Sequence, residues 1–270
     1  MFYETMHTAN EAWLGLIDDI IRYGHKHSPR GKPIRELLAH QTQIMMRYPL
    51  VTMNGRQLGY RFAAAEAAWI LSGDNRVATI KPYSRKIADF SDDGETFFGA
   101  YGPKIVAQMP YIIETLTKDP ESRQAVINIW RESPGPSKDI PCSISVQFLI
   151  REDKLHCIYT MRSSDAWLGW VYDVFNFSML STYLLLKLLE SPDNFGGLQL
   201  GYLSLSAGSQ HLYYDNLEAA AQALLVENSG FDSVPPWEPH LNFSTAEEFV
   251  QDLWKYAEGE GAVQFLRDHD

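Results

Sequence analysis

Residues 141–165 read PCSISVQFLIREDKLHCIYTMRSSD. Two stretches within it, Ser143 to Ile150 and Leu155 to Met161, are rich in Val, Ile, Tyr and Phe, and the polar run Arg151-Glu152-Asp153-Lys154 separates them. Such side chains fit a pleated, half-buried surface, so the segment reads as a β-hairpin. Pro141-Cys142 stands at the mouth of the first strand, and Arg162-Ser163-Ser164-Asp165 ends the second. Pairing of the strands brings Arg162 toward Cys142. A cysteine becomes a useful nucleophile when a nearby cation favours its thiolate. Taken alone the pair is weak, because a free cysteine is commonly a small buried hydrophobe.

Working outward, Thr8-Ala9-Asn10-Glu11 is a capping box, and Trp13, Leu14, Leu16, Ile17, Ile20 and Ile21 follow it at helical spacing, which predicts a helix to Tyr23 stopped by Gly24. His25 to Lys32 has the composition of a turn or mobile loop. Short segments around Ile34 to Ile44 and Gln57 to Phe62 flank Tyr48-Pro49-Leu50-Val51, and Ala63 to Leu71 reads as a helix ended at Gly73. Asp74 to Gly102, rich in Asp, Ser and Gly, is expected to be irregular and suited to a lid over a site. Ala125 to Trp130 reads as a strand, Phe175 to Leu189 as a buried helix, Leu198 to Ala207 as a strand leading into His211, and Asp215 to Leu225 as a helix. A Pro-rich loop at 234–239 precedes a last helix opened by Ser244-Thr245-Ala246-Glu247. This order of elements is mixed α+β in one domain of 270 residues.

Composition excludes several classes. Two cysteines, Cys142 and Cys157, are too few for a disulfide framework and lack zinc-site spacing, so no metal is expected and a reducing cytoplasm is the natural setting. No run of 18 apolar residues argues for a membrane span. A net charge of -11 argues against a broad basic surface for nucleic acid, so an anionic ligand needs a local arginine cluster; Arg30, Arg123 and Arg162 are the candidates.

Several phrases, in order, resemble the thymidylate synthase and deoxycytidylate hydroxymethylase family: Pro49-Leu50-Val51-Thr52, Glu66 to Asp74, Tyr101-Gly102, Asp119 to Arg123, Pro141-Cys142, Gln147-Phe148, Met161 to Asp165, Leu168-Gly169, Tyr172-Asp173 and Gly208 to Tyr213. The resemblance covers roughly residues 10–225 and leaves 226–270 as a divergent tail. It implies a mixed twisted sheet flanked by helices, a pyrimidine nucleoside monophosphate substrate and 5,10-methylene-tetrahydrofolate as co-substrate. A homodimer is also implied. It implies Cys142 as the nucleophile at C6 of the ring, Glu66 as a proton-moving carboxylate and Tyr101 as a hydroxyl beside the nucleophile. Arg162, Ser163 and a mobile-loop Arg30 are the implied phosphate ligands, with Arg123 reaching into the partner's site; Gln124 stands where the family usually has a second arginine. His211 and Tyr213 are the implied sugar 3'-hydroxyl ligands, and Asp165, Leu168, Gly169 and Tyr172 the wall for the folate pterin.

Asp173 carries the most information about substrate. Thymidylate synthases have asparagine at this place, which suits uracil; an aspartate accepts from the 4-amino group of cytosine and, protonated, donates to N3. Asp173 therefore predicts a cytidine nucleotide, dCMP or CMP, as in the phage deoxycytidylate hydroxymethylases that share this aspartate, whose setting is the host cytoplasm. The expected product is 5-hydroxymethyl. Alternatives are a C5-methylase that yields dihydrofolate, a thymidylate synthase acting on dUMP, and a non-catalytic nucleotide-binding relative. The charged end Leu266-Arg267-Asp268-His269-Asp270 favours entry of water over an apolar closure, and aromatic residues around Tyr83 are candidates to shield the site.

Overall fold

A computed structural model describes residues 8–53, 55–192, 195–227 and 243–259. Helix α1, Ala9–Tyr23, is capped as the sequence predicts: Thr8 Oγ1 accepts from the Glu11 amide, and the Glu11 carboxylate accepts from the Thr8 amide at 2.9 Å. Its apolar stripe, from Trp13 to Ile20, is buried, and Trp13 Nε1 donates to the Ala166 carbonyl at 2.8 Å. The helix ends at Gly24, whose backbone is extended and where a Cβ would meet the Ile20 carbonyl oxygen at 2.4 Å.

The expected loop at 25–32 is not all loop. His25–His27 forms a short edge strand, β1, antiparallel to the start of β2, Ile34–Met45; only Pro29–Gly31 is a tight turn. Strand β2 is one continuous element of 12 residues whose register with its partner strand holds across Ala39, although Ala39 has a positive φ of 53°. Helix α2, Tyr60–Leu71, starts three residues earlier than its composition suggests, and a one-turn helix α3, Val77–Ile80, interrupts the irregular stretch that follows. Helix α4, Gly102–Lys118, was not expected from the sequence: it opens with Pro103 and runs through Pro110.

The hairpin forms as predicted. Strand β4, Ser143–Arg151, pairs antiparallel with β5, Lys154–Asp165, through a two-residue turn at Glu152 and Asp153, both with positive φ. After β5 comes α5, Trp170–Leu189, apolar almost throughout, which crosses back to β6, Gln199–Tyr213. Because β6 lies parallel to β5, a crossover of this length is required. With β3, Val126–Asn128, on the outer edge, the six strands take the order β1-β2-β6-β5-β4-β3 in one mixed sheet.

One face of the sheet, with Tyr159, Phe148, Cys157 and Leu205, packs against α5, whose Phe175, Phe177 and Leu184 are buried. Burying each such side chain stabilises by about 1.5–3 kcal/mol. Helix α6, Leu217–Glu227, lies against α1. Helix α7, Ala246–Glu258, lies in the divergent tail and packs on α2 through Phe249, Leu253 and Tyr256. Its cap is Thr245, one residue later than expected, accepting from the Glu248 amide. The Pro-rich loop and the charged terminus lie outside the described residues. Among the described residues no helix is long and apolar enough to cross a membrane, and no group of three His, Cys, Asp or Glu side chains could hold a metal.

Candidate active site

A cavity of about 280 Å³ opens where the ends of β4 and β5 face α2 and α5. Its lining includes Arg30, Glu66, Tyr101, Cys142, Arg162 and Asp173, residues separated by up to 143 positions that the ordered resemblance assigns to one site. Trp69, Phe90 and Phe97 wall it with aromatic surface.

Cys142 enters the cavity from the residue before β4. The Arg162 amide donates to the Cys142 carbonyl at 2.8 Å, and Ser163 Oγ approaches Sγ at 3.8 Å. Arg162 acts on the thiol in the expected direction, but it does not act alone. Burial raises the Cys142 thiol above its ordinary value, and Arg162 and Ser163 only oppose that rise. Arg162 donates from Nε to the Pro141 carbonyl and from Nη2 to that of Ile140, both at 2.9 Å, and from Nη1 to Ser163 Oγ at 3.1 Å. These bonds stiffen the 140–142 segment, and so the nucleophile's backbone. A second constraint comes from Asp139, whose Oδ2 accepts from the Gly99 amide at 2.7 Å. The chains approach so closely there that a Cβ on Gly99 would meet the Asp139 carbonyl oxygen at 2.4 Å.

Two carboxyls share the inner wall. Glu66, on α2, is pushed up to about 7 by burial, against a hydrogen bond from Asn176 Nδ2 to Oε2 at 2.7 Å. Asp173, on the first turn of α5, is held well above the usual carboxylate range by burial and by Glu66, while the Tyr159 hydroxyl pulls the other way. Burial likewise holds the Tyr101 hydroxyl above its ordinary value. Two carboxyls whose neutral forms burial favours, a thiol and a guanidinium around one small aromatic-walled space can add a nucleophile to an electrophilic ring and move protons around it.

The thymidylate synthase family model matches residues 11–235. The chain belongs to the thymidylate synthase family. A relative, the deoxyuridylate hydroxymethyltransferase of Bacillus phage SP01, is 27% identical over 231 residues, covering 77% of this chain and 58% of the relative. The chain thus spans less than two thirds of that relative's length.

Other positions carried over from the thymidylate synthase pattern lie outside the cavity lining. His211 is nearly buried, pairs with Asp165 across β6 and β5, and meets Tyr213 edge to face at 5.2 Å. Asp165 Oδ1 accepts from the Trp167 and Leu168 amides at 2.8 and 3.0 Å and so shapes the turn into α5, where Gly169 precedes the helix. Leu168 is exposed. The Tyr172 hydroxyl accepts from the Gly59 amide at 3.2 Å and its ring packs on Phe62. Arg123 is exposed before β3 and does not line the cavity. Of the aromatic residues in the region around Tyr83, Phe90 and Phe97 line the cavity, whereas Tyr83 itself is turned to Trp254 of α7 at 6.2 Å.

Sequence reasoning missed Asn176, Tyr159 and Ser143. Asn176 had a signal, since with Asp173 it sits three residues apart on one face of an apolar helix. Tyr159 and Ser143 had none, because alternation makes both look like ordinary strand residues.

Proposed function

We propose that this chain transfers a one-carbon unit from 5,10-methylene-tetrahydrofolate to C5 of a cytidine monophosphate and releases the 5-hydroxymethyl product. The observation that carries this reading is the convergence of Cys142, Glu66, Tyr101, Asp173 and Arg162 on one cavity. The cavity also suits the co-substrate. Trp69 and Phe97 offer flat apolar surface, and two buried polar atoms of its lining residues, Trp69 Nε1 and Asn176 Oδ1, have no partner among the described residues. A heterocycle with donors and acceptors answers both.

The folate, when bound, supplies a carbon at the oxidation level of formaldehyde. The Cys142 thiolate adds to C6 of the pyrimidine, which makes C5 an enamine carbon able to bond to that unit. Glu66, titrating near 7, can give or take a proton at neutral pH, and Tyr101 lines the same cavity as Cys142 and Asp173. Loss of the C5 proton breaks the bond between the new methylene and the folate nitrogen, so tetrahydrofolate leaves unoxidised; water then adds to the exocyclic methylene as the Cys142 sulfur departs from C6, which restores the ring. Arg162 and Arg30 are the cations for the phosphate, and a second copy of the chain supplies Arg123.

Asp173 supports cytosine. Its neutral form, which burial favours, matches cytosine when its carbonyl oxygen accepts from the 4-amino group and its hydroxyl donates to N3. Protonation at N3 draws electrons from C6 and so helps the thiolate add; uracil already carries hydrogen at N3 and needs no such donor. The name of the phage relative favours a second reading, hydroxymethylation of deoxyuridylate. The test is incubation with C5-tritiated dCMP or dUMP and methylene-tetrahydrofolate, with mass spectrometry of the product. Tritium release from dCMP and a gain of CH2O are expected. Release from dUMP alone overturns the cytosine assignment, and a gain of CH2 overturns the hydroxymethyl product.

A further inference from the structure

The segment that leads into Cys142 is fastened on two sides. On one side Arg162 of β5 bonds the carbonyls of Ile140 and Pro141. On the other, residues 131–139 are tied three times to residues 92–99, the stretch that carries Phe97 of the aromatic wall. Asp92 accepts from Ser137 Oγ at 2.5 Å and from the Lys138 amide at 3.0 Å. Arg131 Nη2 donates to the Phe98 carbonyl at 2.8 Å, and its guanidinium lies 4.1 Å from the centre of the Phe98 ring. Asp139 Oδ2 accepts from the Gly99 amide at 2.7 Å, where the two backbones leave no room for a Cβ on Gly99.

The wall has its own anchorage. The Phe97 amide donates to the Asn75 carbonyl and the Val77 amide to that of Glu95, both at 2.8 Å, which fixes the stretch to the residues between α2 and α3. Asp93 closes its turn, accepting from the Glu95 and Thr96 amides at 2.8 Å. The Phe97 ring meets Trp69 of α2 edge to face at 5.6 Å. Phe97 therefore moves with α2 and α3, whereas Cys142 moves with the hairpin of β4 and β5. The three ties join these two bodies beside the cavity that Phe97, Gly99, Asp139 and Cys142 all line.

Forming a carbon–carbon bond requires the reacting atoms to stand about 3–3.5 Å apart and aligned, and a misplacement of about 1 Å costs about 100-fold in rate. With the nucleotide bonded to Cys142 and the co-substrate laid on the aromatic wall, the gap between the two rings is the gap between the two bodies. We propose that Asp139 and Asp92 are positioning residues that set this gap, by holding the wall to the nucleophile's segment. The inference rests on the proposed placement of the co-substrate against Phe97. It does not depend on which base is used.

The test compares Asp139→Ala with Asp139→Asn, whose amide oxygen can still accept from Gly99. Both lack the carboxyl's charge, so the difference between them reads the tie. On whichever nucleotide the wild type turns over, kcat is expected to fall roughly tenfold or more in Asp139→Ala and to recover most of that loss in Asp139→Asn, while the Kd of the nucleotide alone stays within about twofold. Gly99→Ala removes no partner but forces the backbones apart, and a similar fall in kcat is expected. Equal kcat in the two Asp139 variants, a loss of nucleotide affinity in parallel with kcat, or a wild-type rate in Gly99→Ala overturns the proposal. If Asp139→Ala does not fold, Asp92→Ala at the exposed tie decides: a smaller fall in kcat with nucleotide binding kept supports the proposal, and an unchanged kcat overturns it. If the wild type turns over neither dCMP nor dUMP, the proposed function fails and Cys142 alkylation by iodoacetamide still reads the ties. A wall that parts from the nucleophile makes labelling several-fold faster in Asp139→Ala than in Asp139→Asn, and equal rates sink the inference.

Discussion

Asn176 Nδ2 donates to Glu66 Oε2 at 2.7 Å across the seam between α5 and α2, and this bond opposes the burial that lifts the Glu66 carboxyl to about 7. The charged form of Glu66 thus depends on one amide. Replacing Asn176 with Leu keeps the volume and removes the donor, so the ionised carboxylate is less favoured and its titration moves upward. If the ionised form works in turnover, the acidic limb in a plot of kcat against pH shifts to higher pH in Asn176→Leu. An unmoved limb assigns it to another group.

The same burial has a stability consequence with a definite sign. The folded protein holds Glu66 above its unfolded value of 4.5, so the neutral form is favoured by folding. Stability from this group is complete below 4.5 and is lost as pH rises through about 7, by about 3 kcal/mol in all. Glu66→Gln is neutral at every pH. Thermal unfolding should show the variant gaining on the wild type by roughly 5 °C or more between about pH 5 and pH 8; a constant difference contradicts the assignment.

Arg162 pulls the Cys142 thiol down while burial pushes it up. Arg162→Gln removes the downward pull, so less thiolate exists at a given pH. Alkylation of Cys142 by iodoacetamide should slow several-fold at neutral pH, with its midpoint moved upward. Cys157 is fully buried and pushed up to about 12, so it contributes little to the rate. Peptide mapping of the alkylated protein confirms the site, and faster labelling of Cys142 in the variant is the contrary result.

Local signals carried much of this fold. The capping box of α1, the hairpin of β4 and β5, and the long apolar α5 are each written in a dozen or so neighbouring residues, and all three form. Helix α4 was not legible because Pro103 and Pro110 read as breaks; Pro103 sits at the helix start, where its missing N–H is harmless, and tertiary packing of Ile105, Met109 and Ile112 carries the helix through Pro110. The edge strand His25–His27 was missed because it pairs without burying anything. At the site, Cys142 and Arg162 were readable as hairpin neighbours. Glu66 and Asp173 came only through the ordered resemblance, since nothing local says that α2 and α5 meet. Tyr159 became visible only with its hydroxyl bonded to Ser143, next to the nucleophile.

Helix α7 lies beyond the matched residues 11–235, yet Phe249, Leu253 and Tyr256 are buried against the core. Lys187 of α5 ties it further, bonding Glu247 Oε1 at 2.5 Å. If α7 were an accessory, trimming its apolar face would be harmless. Leu253→Ala instead leaves a cavity against α2 and should cost about 2–4 kcal/mol in urea unfolding, with the slope of the transition unchanged. A cost below about 0.5 kcal/mol shows that α7 is not part of the cooperative unit.

Asp173→Asn separates hydrogen bonding from proton donation. An amide can turn either its oxygen or its NH2 toward the ring, so both cytosine and uracil can still be held, but it has no proton to transfer to N3. Cytosine activation loses its acid; uracil, already protonated at N3, loses nothing of that kind. For dCMP, kcat should fall by about 10²- to 10⁴-fold, the range for removing a general acid, while KM changes little. For dUMP, activity should hold or rise, so the preferred substrate inverts. A rise in KM for dCMP with kcat preserved would instead make Asp173 a binding group only, and the requirement for a neutral carboxyl at that position would fall.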